Sequence, residues 1–182
     1  MSHVSIAAIE TSSIAQGTVV GDAMVKQAEV TLIQAATLSP GKFWVLIGGD
    51  LGPVRSAHAR GLEVAADTLL DSLFIPQLHE MVLPALRGIV TAGDEDALGV
   101  IETLSAASAI VAADRAAKTA AVTLRELRLA NGIGGKGFVF MTGEVGDVQA
   151  AVDAGRAEAL QKGLLVRSVV VPRLHPQMKA WV

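Results

Sequence analysis

The chain of 182 residues contains no cysteine and no tyrosine, and it is poor in aromatic residues. The absence of cysteine excludes disulfide bonds, thiolate metal ligands and a thiol nucleophile, and it suits a cytoplasmic protein. Aromatic residues make up 3% of the chain, so the core must consist of alanine, valine, leucine and isoleucine. No run approaches the roughly 20 apolar residues that cross a bilayer, and the N-terminus does not resemble a signal peptide.

Charge is also scarce. Charged residues make up 18% of the chain and hydrophobic residues 51%, whereas about 25% of a typical soluble protein is charged. So little charged surface favours an oligomer with large interfaces over a lone monomer. The net charge is -3 at pH 7 without a Lys/Arg cluster, so we expect neither nucleic acid nor membrane as a partner.

The sequence repeats itself with a nearly constant offset. An Ile-Glu-Thr block at residues 9–11 returns at 101–103, and Asp-x-x-x-Lys-x-Ala at 22–28 returns at 114–120, both with a shift of 92. The shift becomes 94 at Lys42 and 96 at Pro76. A unit of about 90 residues is therefore duplicated. We expect one domain over residues 1–92 and a second over 93–182.

The hydrophobic pattern predicts the order βαββαβ in each repeat, followed by a short helix. The predicted strands of the first repeat are residues 5–10, 31–37, 42–48 and 73–75; its helices are 17–28 and one capped by Asp50, with an apolar stripe through Leu62, Ala65, Ala66, Leu69 and Leu70. The second repeat is predicted to have strands at 97–102 and 164–171, a hairpin at 123–142 and helices at 106–119 and 145–162. This order predicts an α+β fold of two tandem ferredoxin-like domains, each with an antiparallel-rich sheet covered on one face by helices.

A glycine-rich segment at residues 132–137 formally matches the dinucleotide motif G-x-G-x-x-G. That motif must lie between a strand and the start of a helix, whereas the residues that follow here are strand-like. We therefore interpret the segment as a flexible or closely packed hairpin tip.

No catalytic or metal-binding constellation is visible in the sequence. Among the four histidines only His79 and His175 occupy matched positions, after a strand, where we expect them to hold local backbone. Glu10 and Glu102 end the first strand of each repeat and are expected to satisfy nearby backbone donors. No serine, histidine and carboxylate grouping indicates a nucleophile. We expect no catalytic residue and no metal site.

Two i, i+4 ion pairs, Asp22 with Lys26 and Asp114 with Lys118, are predicted on exposed helix faces. Such pairs contribute only about 0.3 to 0.5 kcal/mol. A stabilising role and an interface role are therefore both open for these residues.

Together these features resemble a known family. The tandem Glu-Thr blocks, the Asp-x-x-x-Lys-x-Ala helices, the Pro-Gly-Lys and Gly-Gly-Lys hairpins and the segment 171–175 (Val-Pro-Arg-Leu-His) resemble bacterial microcompartment shell proteins. The similarity covers roughly residues 5–181 and is greatest to the tandem-domain, trimeric, propanediol-utilisation T type. It implies a structural protein of a microcompartment shell in the cytoplasm, not an enzyme. It also implies a homotrimer that forms a pseudohexamer of six domains and tiles with other shell proteins.

The resemblance further implies which residues form the pore and the tile edges. The family's central pore is lined by the loop between the second and third strands, here Leu38, Ser39, Pro40, Gly41, Asn131, Gly132, Ile133, Gly134 and Gly135. Because this lining has no carboxylate, we expect it to pass small polar or anionic metabolites better than cations. Edge and interface contacts are implied for Lys26, Lys118, Arg173, His79 and His175.

One departure from the resembled type concerns a cofactor. In that type the first-repeat loop carries a cysteine that holds an iron-sulfur cluster, whereas this chain has Ser39. A hydroxyl is a poor iron ligand beside a thiolate, so we expect no cluster and no other cofactor. One alternative function stays open: a duplicated trimeric regulatory module that binds a small molecule at the glycine-rich loops.

Overall fold

The computed structural model describes residues 4–89 and 96–179. Within these residues the predicted order of elements occurs twice. The strands are β1 (Ser5–Thr11), β2 (Thr31–Leu38), β3 (Lys42–Gly49), β4 (Leu69–Ile75), β5 (Ala97–Thr103), β6 (Thr123–Leu129), β7 (Gly137–Gly143) and β8 (Leu165–Val171). The helices are α1 (Ile14–Gln27), α2 (Leu51–Ala65), α3 (Val82–Leu86), α4 (Ala106–Thr119), α5 (Val145–Gln161) and α6 (Pro176–Lys179).

Each repeat forms a four-stranded antiparallel sheet. The strand order is β2-β3-β1-β4 in the first repeat and β6-β7-β5-β8 in the second. All neighbouring strands pair antiparallel, and the same irregularities of register recur in both sheets. This is the βαββαβ arrangement of a ferredoxin-like domain, so the predicted α+β class is confirmed.

The chain divides into two compact units that do not coincide with the repeats. The first unit comprises residues 1–78 and 130–135, and the second comprises 79–129 and 136–182. The glycine-rich loop of the second repeat therefore belongs to the first unit. Helix α3 belongs to the second unit, where it packs against β6 and α4. The predicted boundary between residues 92 and 93 lies outside the described residues and stays a prediction.

Small aliphatic residues form the core between the sheet and the helices of the first unit. Alternate residues of β1 and β3 point to the helices, as a period of two requires. Packing is close enough to exclude solvent almost completely from this layer. The buried residues of this cluster are Ala7, Ile9, Val20, Met24, Val45, Ile47, Val54, Ala57 and Ala65.

The predicted apolar stripe of the second helix is wrong beyond Ala65, where the helix ends. Helix α2 ends at Ala65, because Ala66 adopts a left-handed φ of 46° and residues 66–68 form a 3₁₀ turn. Leu69 and Leu70 belong to β4 and are exposed. Strand β4 therefore begins four residues before the predicted start at 73.

Serine residues set where two helices begin. Ser13 Oγ accepts the N–H of Gln16 at 3.2 Å, so α1 begins at residue 14 and not at the predicted residue 17. The matched Ser105 caps α4, whose predicted bounds are confirmed. Asp50 occupies the predicted N-cap of α2, but its side chain makes no capping hydrogen bond within the described residues.

Two matched glycines lie where helices pack closely. Around Gly61 of α2 the nearest atoms that a Cβ would meet belong to side chains, among them Met24 Cγ at 2.7 Å. Around Gly155 of α5 a Cβ would stand 2.7 Å from the carbonyl oxygen of Ala112, which is fixed in α4. Both positions require glycine, but the neighbours differ in how easily they move.

We expect Gly155→Ala to lower the free energy of unfolding by about 2 to 3 kcal/mol, and Gly61→Ala by about 1 kcal/mol. The Met24 side chain is flexible and can yield, whereas a helix carbonyl cannot move without breaking its helix. Replacing glycine with alanine inside a helix gains about 1 kcal/mol of helix propensity in both variants. The difference between the two losses therefore reports the cost of packing the added methyl group. Urea unfolding at equal protein concentration measures both losses; a larger loss for Gly61→Ala would contradict the expectation.

His58 of α2 is half-buried, and among the described residues its Nε2 atom has no hydrogen-bond partner. Its ring stacks on Phe74 of β4, with centroids 5.9 Å apart, while the Arg55 guanidinium lies 5.6 Å from the Phe74 centroid. Burial lowers the pKa of His58 below its usual 6.5. The folded protein therefore favours the neutral ring.

We expect the stability of the protein to fall on mild acidification, in part through His58. Because its pKa is lower in the folded state, the unfolded chain binds more protons, and stability rises with pH. The contribution is complete above the unfolded pKa of about 6.5 and is lost as the pH falls toward the lowered folded pKa. Urea midpoints across this range should slope less for His58→Gln than for the wild type; identical slopes would show that His58 is not responsible.

Candidate functional site: hairpin loops and domain flanks

The two predicted pore loops differ in length. With buried Leu38 aligned to buried Ala130, three residues (39–41) form the β2–β3 loop and five (131–135) form the β6–β7 loop. The two extra residues explain why the repeat shift changes from 92 to 94.

The two loops meet within the first unit. The backbone N–H of Ser39 donates to Asn131 Oδ1 at 3.2 Å, and Asn131 Nδ2 donates to the Thr37 carbonyl at 3.5 Å. Gly135 has a φ of 82°, and a Cβ there would stand 2.6 Å from the Ser39 carbonyl oxygen. Glycine at position 135 thus permits the close approach of the loops, and the Asn131 amide links them.

The exposed surface of these loops is neutral. Pro40, Gly41, Asn131, Gly132 and Gly134 are exposed, Ser39 and Ile133 are partly buried, and Leu38 and Gly135 are buried. The surface therefore presents a hydroxyl, a side-chain amide and backbone groups, without a carboxylate. The pore-lining role of these nine residues stays a prediction.

A lysine–glutamate pair lies at the base of each hairpin. Lys42 Nζ is 2.6 Å from Glu10 Oε1, and Lys136 Nζ is 2.7 Å from Glu102 Oε1. Lys42 Nζ also donates to the Gly135 carbonyl at 3.4 Å and so connects the strand to the loop. Neither pair was predicted from the sequence, although each lysine recurs at a matched position.

His79 and His175 hold the backbone that follows the last strand of each repeat. The Nδ1 atom of His79 accepts the N–H of Met81, and that of His175 accepts the N–H of Gln177, both at 3.3 Å. The expected local role of the two histidines is confirmed. Their role in edge contacts stays a prediction.

The two Asp–Lys pairs have different surroundings. Lys26 Nζ lies 2.7 Å from Asp22 Oδ2, and both side chains are exposed. Lys118 Nζ lies 2.6 Å from Asp114 Oδ2, but Asp114 is buried and its Oδ1 accepts the backbone N–H of His79 at 2.8 Å. The prediction of an exposed pair is therefore wrong for Asp114.

Arg173, the predicted edge arginine, is exposed and has a left-handed φ of 49°.

Across residues 4–89 and 96–179, no three histidine or carboxylate side chains are grouped as metal ligands. In the same residues no helix combines the length and the apolar character needed to span a bilayer.

Comparison with known protein families finds the same domain in both repeats of the sequence. The family model described as the BMC domain matches residues 5–78 and again residues 97–174. The chain belongs to the BMC domain family. Each BMC domain contains one complete βαββαβ sheet, from its first strand to the segment after its last.

Three microcompartment proteins are similar to this chain over most of its length. Bacterial microcompartment shell protein PduT of Citrobacter freundii is 45% identical over 174 residues, which cover 96% of this chain and 95% of PduT. A crystal structure of a microcompartment protein from Desulfitobacterium hafniense DCB superposes with a TM-score of 0.85 at 45% identity, covering 98% of this chain and 99% of that one. The fused permuted hexameric shell protein MSM0275 from the RMM microcompartment superposes with a TM-score of 0.59 at 27% identity, covering 85% and 81%.

The chain is thus a bacterial microcompartment shell protein with two BMC domains. The resemblance found in the sequence is confirmed, and so is the location that it implied in the microcompartment shell.

Proposed function

We propose that three copies of this chain close into a ring of six BMC domains, which forms one tile of the shell around a central pore. The observation that supports this proposal most directly is the bonding of the two hairpin loops through Ser39 and Asn131. Loops that meet in one chain can alternate around a three-fold axis. A head-to-tail contact between similar domains closes into a ring when its rotation fits.

The proposed tile has a structural role and no catalytic activity of its own. Its relatives are named as shell proteins, and its loop surface carries neutral polar groups. Around the axis such a mouth favours small polar or anionic metabolites over cations. The tile edges, with Lys26, Lys118 and Arg173, contact other shell proteins.

Electron microscopy of the concentrated protein tests this function. We expect flat plates or sheets built from particles with three-fold symmetry. Discrete particles that never form sheets, and whose melting temperature rises with a small ligand, would instead favour the regulatory module. Particles without a three-fold axis would contradict both functions.

We also propose that the ring holds no iron-sulfur cluster. Ser39 stands where the resembled type has its cysteine, and the chain contains no cysteine at any position. The loop residues present here offer neither a thiolate nor an imidazole, which are the ligands that hold iron-sulfur clusters, and they therefore do not fit a cluster.

Ser39→Cys should supply the missing ligand, because three thiolates would then face one axis. After anaerobic treatment with iron and sulfide, we expect visible absorption in Ser39→Cys and none in the wild type. Ser12→Cys, an exposed serine outside the loops, is the matched control and should stay colourless. Visible absorption in the wild type after this treatment would overturn the proposal.

A further inference from the structure

The same face of the fold is covered in the second repeat and uncovered in the first. Helix α4 buries eleven of its 14 residues, whereas α1 buries three of 14. At matched positions Val111 is 7% exposed and Val19 is 52% exposed. Likewise Leu124 of β6 is buried, while Leu32 of β2 is exposed. Since the two domains share one fold, no segment among the described residues covers the first domain as the second is covered.

In the second unit, the segment 79–86 covers this face. Helix α3 packs against α4 and β6, and its Val82 side chain is 0% exposed. The segment is fixed at its start by the hydrogen bond from His79 N–H to Asp114 Oδ1. Asp114 uses its other oxygen, Oδ2, for Lys118. One carboxylate thus serves both the ion pair and the incoming segment.

The chain contains this segment a second time, after β8. The backbone N–H of Val82 donates to the His79 carbonyl at 3.1 Å, and that of Met178 donates to the His175 carbonyl at 2.8 Å. In both segments the histidine ring also accepts the backbone N–H of the residue two positions later. The two segments therefore form the same turn. Yet Met178, at the position of buried Val82, is 50% exposed. The second segment is shaped to cover a face and covers none within the described residues.

The uncovered face has the groups that this segment needs. Asp22 pairs with Lys26 through Oδ2, as Asp114 does with Lys118, so its Oδ1 corresponds to the oxygen that accepts His79 N–H. A cavity of about 340 Å³, lined by residues of α1 and α2, opens beside Asp22 and Val19. Asp22 and Val19 of α1 and Leu32 of β2 are hereafter the socket.

We propose that the socket of one copy binds residues 172–179 of a second copy of this chain. Asp22 Oδ1 accepts the backbone N–H of His175 of the partner subunit, and Met178 of the partner subunit packs beside Val19. This inference rests on the proposed ring and names the contact that closes it. We assign a second copy of this chain as the partner because the chain repeats both halves of the contact between segment 79–86 and α4. Segment 172–179 repeats the first half of that contact, and the socket repeats the second half.

Thiol crosslinking tests the contact directly, because the chain has no cysteine of its own. The variant Val19→Cys/Met178→Cys is treated with a short bismaleimide and run on a denaturing gel. We expect bands of one, two and three crosslinked chains, with the three-chain band dominant and no larger species. Leu51→Cys/Met178→Cys is the control, since Leu51 is exposed on the same domain but lies outside the socket. We expect at least tenfold less crosslinking in the control. Equal yields for the two pairs would overturn the assignment.

Asp22→Ala gives a second readout that does not depend on the thiols. The loss of three acceptors per ring should raise the protein concentration at which the ring dissociates by at least tenfold, measured by sedimentation. Asp67→Ala removes an exposed carboxylate outside the socket and should leave dissociation unchanged. If the wild type sediments as a trimer but Asp22→Ala is unaffected and the thiols do not crosslink, the socket assignment fails while the ring stands. If the wild type is not a trimer, the ring itself fails.

Discussion

Lys42→Met is expected to lower the free energy of unfolding by about 3 kcal/mol, near the lower end of the cost of breaking a buried ion pair. Glu10 is 0% exposed, and Lys42 Nζ lies 2.6 Å from its Oε1. Methionine keeps the apolar length of the lysine stem but leaves the buried carboxylate without its cation. The substitution also removes the hydrogen bond to the Gly135 carbonyl, which ties β3 to the longer loop. Urea unfolding at fixed protein concentration measures the loss.

The second repeat provides the matched control for this prediction. Lys136 and Glu102 form the same pair, but the Glu102 side chain is 32% exposed. Water can therefore solvate that carboxylate, and Lys136→Met should cost at most about 1 kcal/mol. Glu10→Gln/Lys42→Met removes both charges and should recover at least half of the loss. Equal effects of the two single lysine substitutions would mean that burial of Glu10 is not decisive.

Ser39→Asp is expected to reduce anion passage through the pore about 30-fold, provided that the proposed ring places three copies around one axis. Two unit charges about 6 Å apart in water interact by about 0.7 kcal/mol, so three carboxylates at the mouth oppose an anion by about 2 kcal/mol. A difference of 1.4 kcal/mol corresponds to about a factor of ten. The measurement is the rate at which an anionic substrate reaches an enzyme enclosed in intact compartments.

Ser39→Asn separates charge from size in this experiment. Asparagine has nearly the shape of aspartate, and neither substitution removes the Ser39 backbone N–H that donates to Asn131. We expect Ser39→Asn to change anion passage less than threefold, and a neutral substrate to pass both variants alike. Unchanged anion passage in Ser39→Asp would count against a pore lined by this loop.

The duplicated sequence predicted the fold well because hydrophobic periodicity and turn residues are local signals. Helix α4 has the predicted bounds, since Ser105 caps an uninterrupted alanine-rich run. The C-terminal half of the predicted stripe on α2 failed for a reason that is not local. Ala66 turns into the left-handed region, and the leucines after it are taken up by strand pairing with β1.

The site was less predictable, because its decisive contacts join residues far apart in the chain. The loops and their two-residue difference were visible in the repeat shifts, but the Ser39–Asn131 hydrogen bond spans 92 residues. Burial of Asp114 depends on His79, which lies 35 residues earlier. Nothing in the identical Asp-x-x-x-Lys-x-Ala motifs distinguishes Asp114 from Asp22. Only the packing of α3 does so.

Native mass spectrometry of the purified wild-type protein tests the proposed ring most directly. We predict one dominant species with the mass of three chains, which persists on dilution into the micromolar range. A dominant species of one chain, or of two, would contradict a closed ring of six BMC domains.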